Sequence, residues 1–337
     1  MKVGMLRYQD SPSGLARPIA YVCSHYGIDF FYFSHNDIDL DRGKINGLFL
    51  QEGNWVRKQT DFPDIIDNAP PRKRDEPLYK LLEQKCFLTT KRIGSKQAIY
   101  NMLSDNGGFE DILIPFQILQ SIDDVERSLN EYGTIVLKPS RGNRGNDVYT
   151  LKKKENNYIL STDDKTSTYD WYEFRDVVNQ TFLKRLFIIQ PYIESKTKEG
   201  HPFDVRIHVR KNRTGDWKIV KIYPRIGIGH ALTSNISQGG GISNINAFLK
   251  SQFSENWNQV KDKLNQLGKQ FPPSFQKFYD FPIDALGIDL GIDPNGKLGL
   301  FEVNTFPGAQ FFEIEDAEIR VQYYIHCAQN MQVGSAI

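Results

Sequence analysis

Three residues near the end of the chain have the types and spacing to bind a metal ion. Asp289 lies in one short apolar run, and Glu302 and Asn304 lie at the end of the next. The segment between the two runs contains Asn295-Gly296, which is typical of a tight β-turn, so the runs predict a hairpin. With its turn centred on that dipeptide, Asp289 faces Glu302 across the hairpin, and Asn304 points to the same side as Glu302.

This predicted cluster has the chemistry of a hard-cation site. Two carboxylates that face each other across an antiparallel pair repel, and a bound cation would remove the repulsion. Because the ligands are all oxygen atoms, with no His or Cys, they favour Mg²⁺ completed by water and substrate phosphates over zinc. The alternative interpretation is an edge hairpin that carries scattered, solvated acids.

Composition places the chain among ordinary globular proteins. It has 337 residues, of which 39% are hydrophobic, and a formal net charge of +1, so we expect two or three domains and no nucleic-acid or membrane partner. No apolar stretch approaches the ~18 residues of a membrane span. The three cysteines, Cys23, Cys86 and Cys327, are too far apart in sequence to indicate a disulfide framework or a zinc site. These features predict a soluble protein of the reducing cytoplasm.

The order of apolar patterns predicts successive α/β units. Residues 2–6, 14–26 and 29–33 read as strand, helix and strand, which favours a small parallel sheet covered by helices. Pro70-Pro71 and the charged residues after it form the best candidate boundary. Beyond it we predict helices at 97–103, 122–130 and 256–267, and strands at 134–138, from 148, and at 187–191, 205–210 and 218–223.

A glycine-rich basic loop at 140–147 connects two of these predicted strands. Glycines allow consecutive backbone N–H groups to point at one anion, and Arg141 and Arg144 add positive charge, so the loop suits a polyphosphate. Lys138, at the end of the preceding strand, is placed to reach the same phosphates. The pattern is neither a Walker A loop nor a dinucleotide-binding turn, and strand-loop-strand over phosphates is the solution that kinases use. A flexible surface turn or an RNA contact remains an alternative.

Several motifs follow one another in a fixed order between about residues 75 and 330. They are Lys96 entering a helix, Leu137-Lys138-Pro139, Ile189-Gln190-Pro191-Tyr192-Ile193, Asp204-Val205-Arg206, Arg225 with Asn235 and Gly239-Gly240, Gly287-Ile288-Asp289, and residues 301–308. In that order they resemble the ATP-grasp superfamily. Through Pro70-Pro71 and residues 81–99, the chain looks most like the YheC/YheD group of endospore coat-associated proteins.

The resemblance implies an α/β ATP-grasp fold with three parts and a short tail. We expect an N-terminal βαβ pre-ATP-grasp domain, a small lid subdomain that carries the glycine loop, and a C-terminal α+β subdomain that carries the metal hairpin. The corresponding boundaries are 1–75, 76–190, 191–330 and a tail at 331–337.

The resemblance also implies roles for individual residues. The nucleotide would be bound by Lys96 and Lys138 at the phosphates, by the closing loop, by the Pro191 carbonyl and Ile193 N–H at adenine, and by Glu194 at the ribose. Asp289, Glu302 and Asn304 match the ligands of Mg²⁺, with Mn²⁺ as a substitute. The remaining implied residues are Ser140, Arg141, Gly142, Arg144, Gly145 and Gln190 for the nucleotide, and Arg206, Arg225 and Asn235 around the transferred phosphate.

The activity implied is an ATP-dependent ligation of a small-molecule carboxylate to an amine, an amino acid or peptide, through an acyl phosphate. Two alternatives stay open: a kinase that uses the same nucleotide site, and a spore-coat structural or nucleotide-binding protein with little turnover. Arg206 and Arg225 have an ordinary alternative as strand partners of nearby acids, and His208 is expected to be structural. The sequence does not indicate the substrates or the oligomeric state.

Overall fold

The computed structural model describes residues 1–140, 147–163, 165–227 and 240–334, with side chains described as far as residue 331. These residues form three β-sheets and the helices that cover them, which confirms the predicted α/β class. The helices are α1 (Ala16–His25), α2 (Glu76–Glu83), α3 (Lys96–Asn106), α4 (Ile122–Tyr132), α5 (Trp171–Val177), α6 (Ile245–Phe253), α7 (Trp257–Gln276) and α8 (Glu313–Gly334).

Each strand that the sequence analysis predicts is present, together with others that it does not predict. They are β1 (Lys2–Arg7), β2 (Asp29–Ser34), β3 (Ile38–Asp39), β4 (Lys44–Gln51), β5 (Asn54–Asp61), β6 (Ile65–Asn68), β7 (Phe87–Leu88), β8 (Gln117–Ile118), β9 (Thr134–Pro139), β10 (Tyr149–Lys154), β11 (Asn157–Ser161), β12 (Thr166–Tyr169), β13 (Phe187–Pro191), β14 (Phe203–Lys211), β15 (Trp217–Ile226), β16 (Gly241–Ile242), β17 (Ala285–Ile292) and β18 (Leu298–Asn304).

The first sheet has the order β3-β4-β2-β1-β6-β7, with β5 paired to β4, and its four consecutive strands β2, β1, β6 and β7 are parallel. Helix α1 covers one face, as the strand-helix-strand pattern predicted. Helix α8, from the far end of the chain, packs on the same core, where Val321 and Tyr324 join Val3 and Met5. The C-terminal helix therefore completes the N-terminal core, and the predicted domain boundaries remain a prediction.

The second sheet, β12-β11-β10-β9-β13-β8, is antiparallel at every pairing. Its core includes Leu137, Phe174 and Phe187, and α4 and α5 cover it. Helix α4 follows its N-cap Ser121, whose hydroxyl accepts a hydrogen bond from Asp124 N. This sheet contains β9, the strand that carries Lys138 and ends at Pro139.

The third sheet, β16-β15-β14-β17-β18, is also antiparallel and carries the predicted metal hairpin as its last two strands. Helices α6 and α7 cover its apolar face. Helix α7 extends to Gln276, beyond the predicted end at residue 267, and runs through Pro272-Pro273. A proline inside a helix removes a backbone hydrogen bond, and here the fully buried Phe271 and Phe275 on either side offset that loss.

None of the helices among the described residues has the length and hydrophobicity needed to cross a bilayer.

Candidate functional site

Four of the sequence-predicted residues, Lys96, Ser140, Glu302 and Asn304, line one cavity of about 400 Å³. A larger cavity of about 940 Å³ beside β7 and α8 is lined by none of the predicted residues. The smaller cavity is therefore the candidate site, and its lining is Pro70, Arg92, Ile93, Gly94, Ser95, Lys96, Ile99, Ser140, Glu302, Val303, Asn304 and Thr305.

The metal hairpin has the predicted pairing, although its turn differs from the expected one. Asp289 pairs with Glu302, as predicted. The connection is a five-residue loop, in which Asp293 N donates to Lys297 O at 3.0 Å, and not a two-residue turn at Asn295-Gly296. That loop by itself would place Asp289 opposite Phe301. A one-residue bulge in β18 shifts the register between Asp289 and Leu290 and returns Glu302 to the position facing Asp289.

Asp289 is held by two arginines, one from the adjacent strand β14 and one from β15. Arg206 Nε and Nη2 donate to its two carboxylate oxygens at 2.6 and 2.7 Å, and Arg225 Nη2 lies 2.9 Å from Oδ2. Arg225 in turn makes two hydrogen bonds to Asp204, at 2.6 and 2.7 Å. Burial raises the pKa of Asp289, but the two guanidiniums outweigh it and hold that pKa below its usual range. Both arginines are thus partners of nearby acids and also neighbours of the predicted metal ligands.

Asn304 completes the predicted triad. Its Nδ2 donates to Asp289 Oδ2 at 3.3 Å, which leaves Oδ1 as the acceptor atom of the amide. Glu302 Oε2 lies 3.3 Å from Lys96 Nζ, and both side chains are about 30% exposed, so solvent screens this pair. The carboxylates of the triad therefore have cationic side chains as partners.

The donor set fits Mg²⁺ that arrives with phosphate. Two carboxylates and one amide oxygen are too few to enclose the ion, and Mg²⁺ commonly takes one or two protein carboxylates with substrate phosphates and water. Within the described ranges, no group of three or more His, Cys, Asp or Glu side chains is arranged to hold a metal ion. We therefore expect the metal to bind weakly until a polyphosphate supplies further oxygen ligands.

Two lysines reach the site from different elements. Lys96 is the first residue of α3, whose N-cap Ser95 accepts a hydrogen bond from Ala98 N at 3.2 Å. Lys138 lies near the end of β9, paired with Ile188 of β13. Burial, followed by the charge of Lys96, lowers the pKa of Lys138 to about 8. Phosphate oxygens between these two ammonium groups would favour their charged forms.

This lowered pKa predicts that ATP affinity falls above pH 8. Because phosphate binding favours the protonated amine, ATP binding should take up a proton there, and affinity should weaken by up to about tenfold per pH unit. Calorimetric titrations in buffers of different ionisation enthalpy measure the uptake. Lys138→Arg keeps its charge and should bind ATP without this dependence. Identical pH profiles for the two proteins would remove Lys138 from the phosphate site.

The residues predicted to bind adenine and ribose, at 190–194, lie where the second and third sheets meet. Gln190 is buried, and its Nε2 donates a hydrogen bond to Ile114 O at 3.4 Å. Ile193 packs against Gly299 of β18, where an added Cβ would lie 3.3 Å from the Ile193 side chain. Pro191 ends β13, and the proposed ribose ligand Glu194 is exposed.

Some predicted residues lie outside the described part of the chain. These are Arg141, Gly142, Arg144, Gly145 and Asn235. The residues that flank the glycine loop are anchored to one short segment before β13. Ser140 N donates to Leu186 O at 2.9 Å, and Arg185 Nη2 lies 2.8 Å from Asp147 Oδ2.

Tyr100 is a site residue that sequence reasoning missed. It lies one turn after Lys96 on α3, is buried, and donates its hydroxyl to Leu300 O, with Phe301 O at 3.4 Å. These carbonyls belong to the bulge that turns Glu302 toward Asp289. Helix α3 therefore supplies a cation to Glu302 and a hydrogen-bond donor to the backbone that orients it. An i, i+4 spacing of Lys and Tyr is too common to signal this role.

We predict that Tyr100→Phe weakens metal binding in a protein that still folds. The bulge carbonyls would lose their donor, which costs ~1–3 kcal/mol of unfolding free energy, and misorienting Glu302 should lower affinity for Mn²⁺ with ADP roughly 10-fold. Electron paramagnetic resonance of bound Mn²⁺ measures that affinity. Tyr32→Phe, which removes a buried tyrosine bond to Gln9 O, is the matched control and should leave Mn²⁺ binding unchanged. Equal Mn²⁺ affinity in the Tyr100 variant would contradict the assignment.

Comparison with solved structures shows which fold this architecture is. N5-carboxyaminoimidazole synthetase from Staphylococcus aureus, complexed with ADP, is 12% identical with a TM-score of 0.53, covering 95% of this chain and 76% of that chain. D-alanyl-alanine synthetase A from Vibrio cholerae is 12% identical with a TM-score of 0.52, covering 98% of each chain. The three sheets with a cavity between them are the mixed α/β ATP-grasp fold, which confirms the predicted fold class.

Within that fold, the chain belongs to the YheC/D-like ATP-grasp family, whose profile matches residues 85–329. Two curated relatives come from Bacillus subtilis (strain 168). Endospore coat-associated protein YheD is 24% identical over 298 residues, and the match covers 84% of this chain and 65% of YheD. Endospore coat-associated protein YheC is 22% identical over 313 residues, covering 89% of this chain and 86% of YheC. The chain thus spans about two thirds of the length of one relative and most of the other.

Proposed function

We propose that this protein is an ATP- and Mg²⁺-dependent ligase that joins a carboxylate to an amine through an acyl phosphate and releases ADP and phosphate. The observation that carries the proposal is the grouping, in and beside one cavity, of paired carboxylates with cationic side chains from four elements. Four positive charges lie close to three carboxylates. The cations are Lys96, Lys138, Arg206 and Arg225, and the carboxylates are those of Asp204, Asp289 and Glu302. Such a site suits an anionic nucleotide bound together with a cation.

Each group has a task that follows from its position. Lys96 and Lys138 bind the phosphates, while Asp289, Glu302 and Asn304 would hold Mg²⁺, which neutralises phosphate charge during transfer. Arg225 stays anchored by its two hydrogen bonds to Asp204, so its contact with Asp289 is the one that a phosphate or acyl oxygen can replace. Positioning and charge stabilisation then supply most of the catalysis.

The fold supports a ligase, since the solved structures that share it include enzymes named as synthetases. A kinase would use the same nucleotide site and leave a stable phosphoester. The names of the two curated relatives favour a third candidate, a spore-associated protein that binds nucleotide without turning it over.

Trapping with hydroxylamine separates these candidates. A screen of carboxylic acids with ATP and Mg²⁺ should identify acids that release ADP. If an acyl phosphate forms, hydroxylamine converts it to a hydroxamate even when the natural amine is absent. An acid-stable phosphorylated product would instead identify a kinase. Tight ATP binding without ADP release across a broad screen would favour the binding protein.

A further inference from the structure

We propose that Arg72 and Arg92 form a second anion-binding position at the mouth of the cavity, and that the carboxylate substrate carries a second carboxylate which binds there. The inference rests on the proposed ligase function, because it concerns the acid that this site would activate. Arg92 and Pro70 line the cavity together with Lys96 and Glu302. Arg72 lies two residues after Pro70.

Both arginines are held in place before any ligand binds. The Arg72 guanidinium lies 4.0 Å from the centroid of the Tyr8 ring, and Arg72 N donates to Tyr8 Oη at 2.8 Å. Tyr8 itself stacks on His35 at 4.6 Å. Arg92 Nε donates to Pro71 O at 2.5 Å, which fixes its side chain next to the backbone of Arg72. Groups that are already positioned lose less conformational entropy when they bind an anion.

The charges of these two arginines are not neutralised within the described part of the chain. Neither forms an ion pair with a described carboxylate, whereas their neighbours in sequence do: Arg74 lies 3.6 Å from Asp75, and Lys91 lies 3.2 Å from Glu83. Both side chains are exposed. Each guanidinium therefore keeps donors that can bind a carboxylate.

Their place in the first sheet is a second, independent indication. Tyr8 directly follows β1, and Pro70 follows β6 by two residues, so both arginines lie at the carboxyl ends of parallel strands. In open α/β sheets, ligands bind in the crevice outside these strand ends. An acid whose reacting carboxylate meets the nucleotide near Lys96 and Glu302 would extend past Pro70 to this edge. Its second carboxylate would then reach Arg72 and Arg92.

The experiment compares acids that differ only in the second carboxylate. Glutarate is paired with glutaramate, and dipeptides that contain glutamate or aspartate are paired with their glutamine or asparagine forms. ADP release and hydroxamate formation are measured with ATP, Mg²⁺ and hydroxylamine. We expect both acids of a pair to be turned over, with a KM for the diacid about tenfold or more below the KM for its amide form. The reason is that hydrogen bonds between charged groups are stronger than those to a neutral amide.

Three variants locate the effect. Arg72→Gln and Arg92→Gln should each raise the KM for the diacid about tenfold or more, while the KM for ATP and the kcat for the amide form stay unchanged. Lys73→Gln, which removes an exposed charge from the same segment, is the control and should change neither KM. Because all three side chains are on the surface, the thermal midpoints should match that of the unmodified protein.

The outcomes that overturn the inference are distinct. A KM for ATP that rises in Arg92→Gln would assign this arginine to the nucleotide. Equal KM values for diacids and their amide forms, unaffected by either variant, would remove the second anion position and leave the ligase function standing. If no acid in the screen releases ADP or forms a hydroxamate, the ligase function fails and this inference fails with it.

Discussion

Glu302→Gln is expected to lower Mg²⁺-dependent ATP turnover by at least about 10²-fold while the fold stays intact. The substitution removes the charge of a proposed metal ligand, and losing even an outer-shell partner of a metal costs roughly 10–100-fold. Turnover assays over a range of Mg²⁺ concentrations, together with Mn²⁺ binding in the presence of ADP, measure the loss. A variant with normal turnover would exclude Glu302 from the metal site.

Little change in stability should accompany this loss. The ion pair of Glu302 with Lys96 is partly exposed and contributes ~0–1 kcal/mol. The repulsion from Asp289 is already offset by Arg206 and Arg225, so its relief adds little. Glu83→Gln, which removes a comparable exposed partner from Lys91, is the matched control. It should show the same small change in unfolding free energy and full turnover.

Arg225→Lys is expected to lower kcat by about 10² or more and to leave ATP affinity nearly unchanged. Removing one preorganised donor from a transition state typically costs 10²–10³ in kcat, and lysine cannot reproduce the two parallel hydrogen bonds that Arg225 makes to Asp204. Single-turnover kinetics and ATP titration separate the two quantities. A similar loss in both would mean that Arg225 serves nucleotide binding.

Lysine is a better test here than alanine because of what surrounds Arg225. Alanine would leave the buried carboxylates of Asp204 and Asp289 without a shared cation, and breaking buried ion pairs in this way costs ~3–5 kcal/mol. Lost activity could then reflect unfolding. Lysine keeps the charge. Arg57→Lys is the control for replacing arginine with lysine. It alters the ion pair that Arg57 of β5, in the first sheet, makes with Asp37, and should not affect kcat.

The pairing of Asp289 with Glu302 shows why some of the site can be predicted from sequence. Alternation along a strand and a turn signal are local properties, and together they place two carboxylates face to face. The prediction of the turn is nevertheless wrong. The observed five-residue loop shifts the pairing of the two strands by one residue, and the bulge near Phe301 shifts it back. The prediction of the pairing held because two local deviations cancel.

What the sequence could not show depends on contacts between distant segments. Helix α8 was not predicted, and its buried side mixes apolar residues with charged ones: Asp316 and Arg320 are at most 2% exposed. Their partners are Arg210 and Asp67, more than 100 residues away. The bond from Tyr100 to the bulge has the same character, since it joins residues 200 apart in sequence. No periodicity within one segment encodes such pairs.

The alternation along β14 sets limits on how the molecule can move. Its apolar face packs in the core, while Arg206, His208 and Arg210 face the other way and reach Asp289, Asp316 and Asp284. Asp316 also forms an ion pair with Arg320, and Arg320 forms a second ion pair with Asp67 of the first sheet.

Apolar surfaces can slide past each other with little change in energy, but a slip here would bring a buried charge opposite an aliphatic side chain. We therefore expect the first and third sheets to behave as one rigid frame. Any opening that admits nucleotide would then belong to the second sheet. We expect its pivot to lie between the end of β13 and Ser195, whose hydroxyl donates to Phe203 O and accepts a hydrogen bond from Ile292 N.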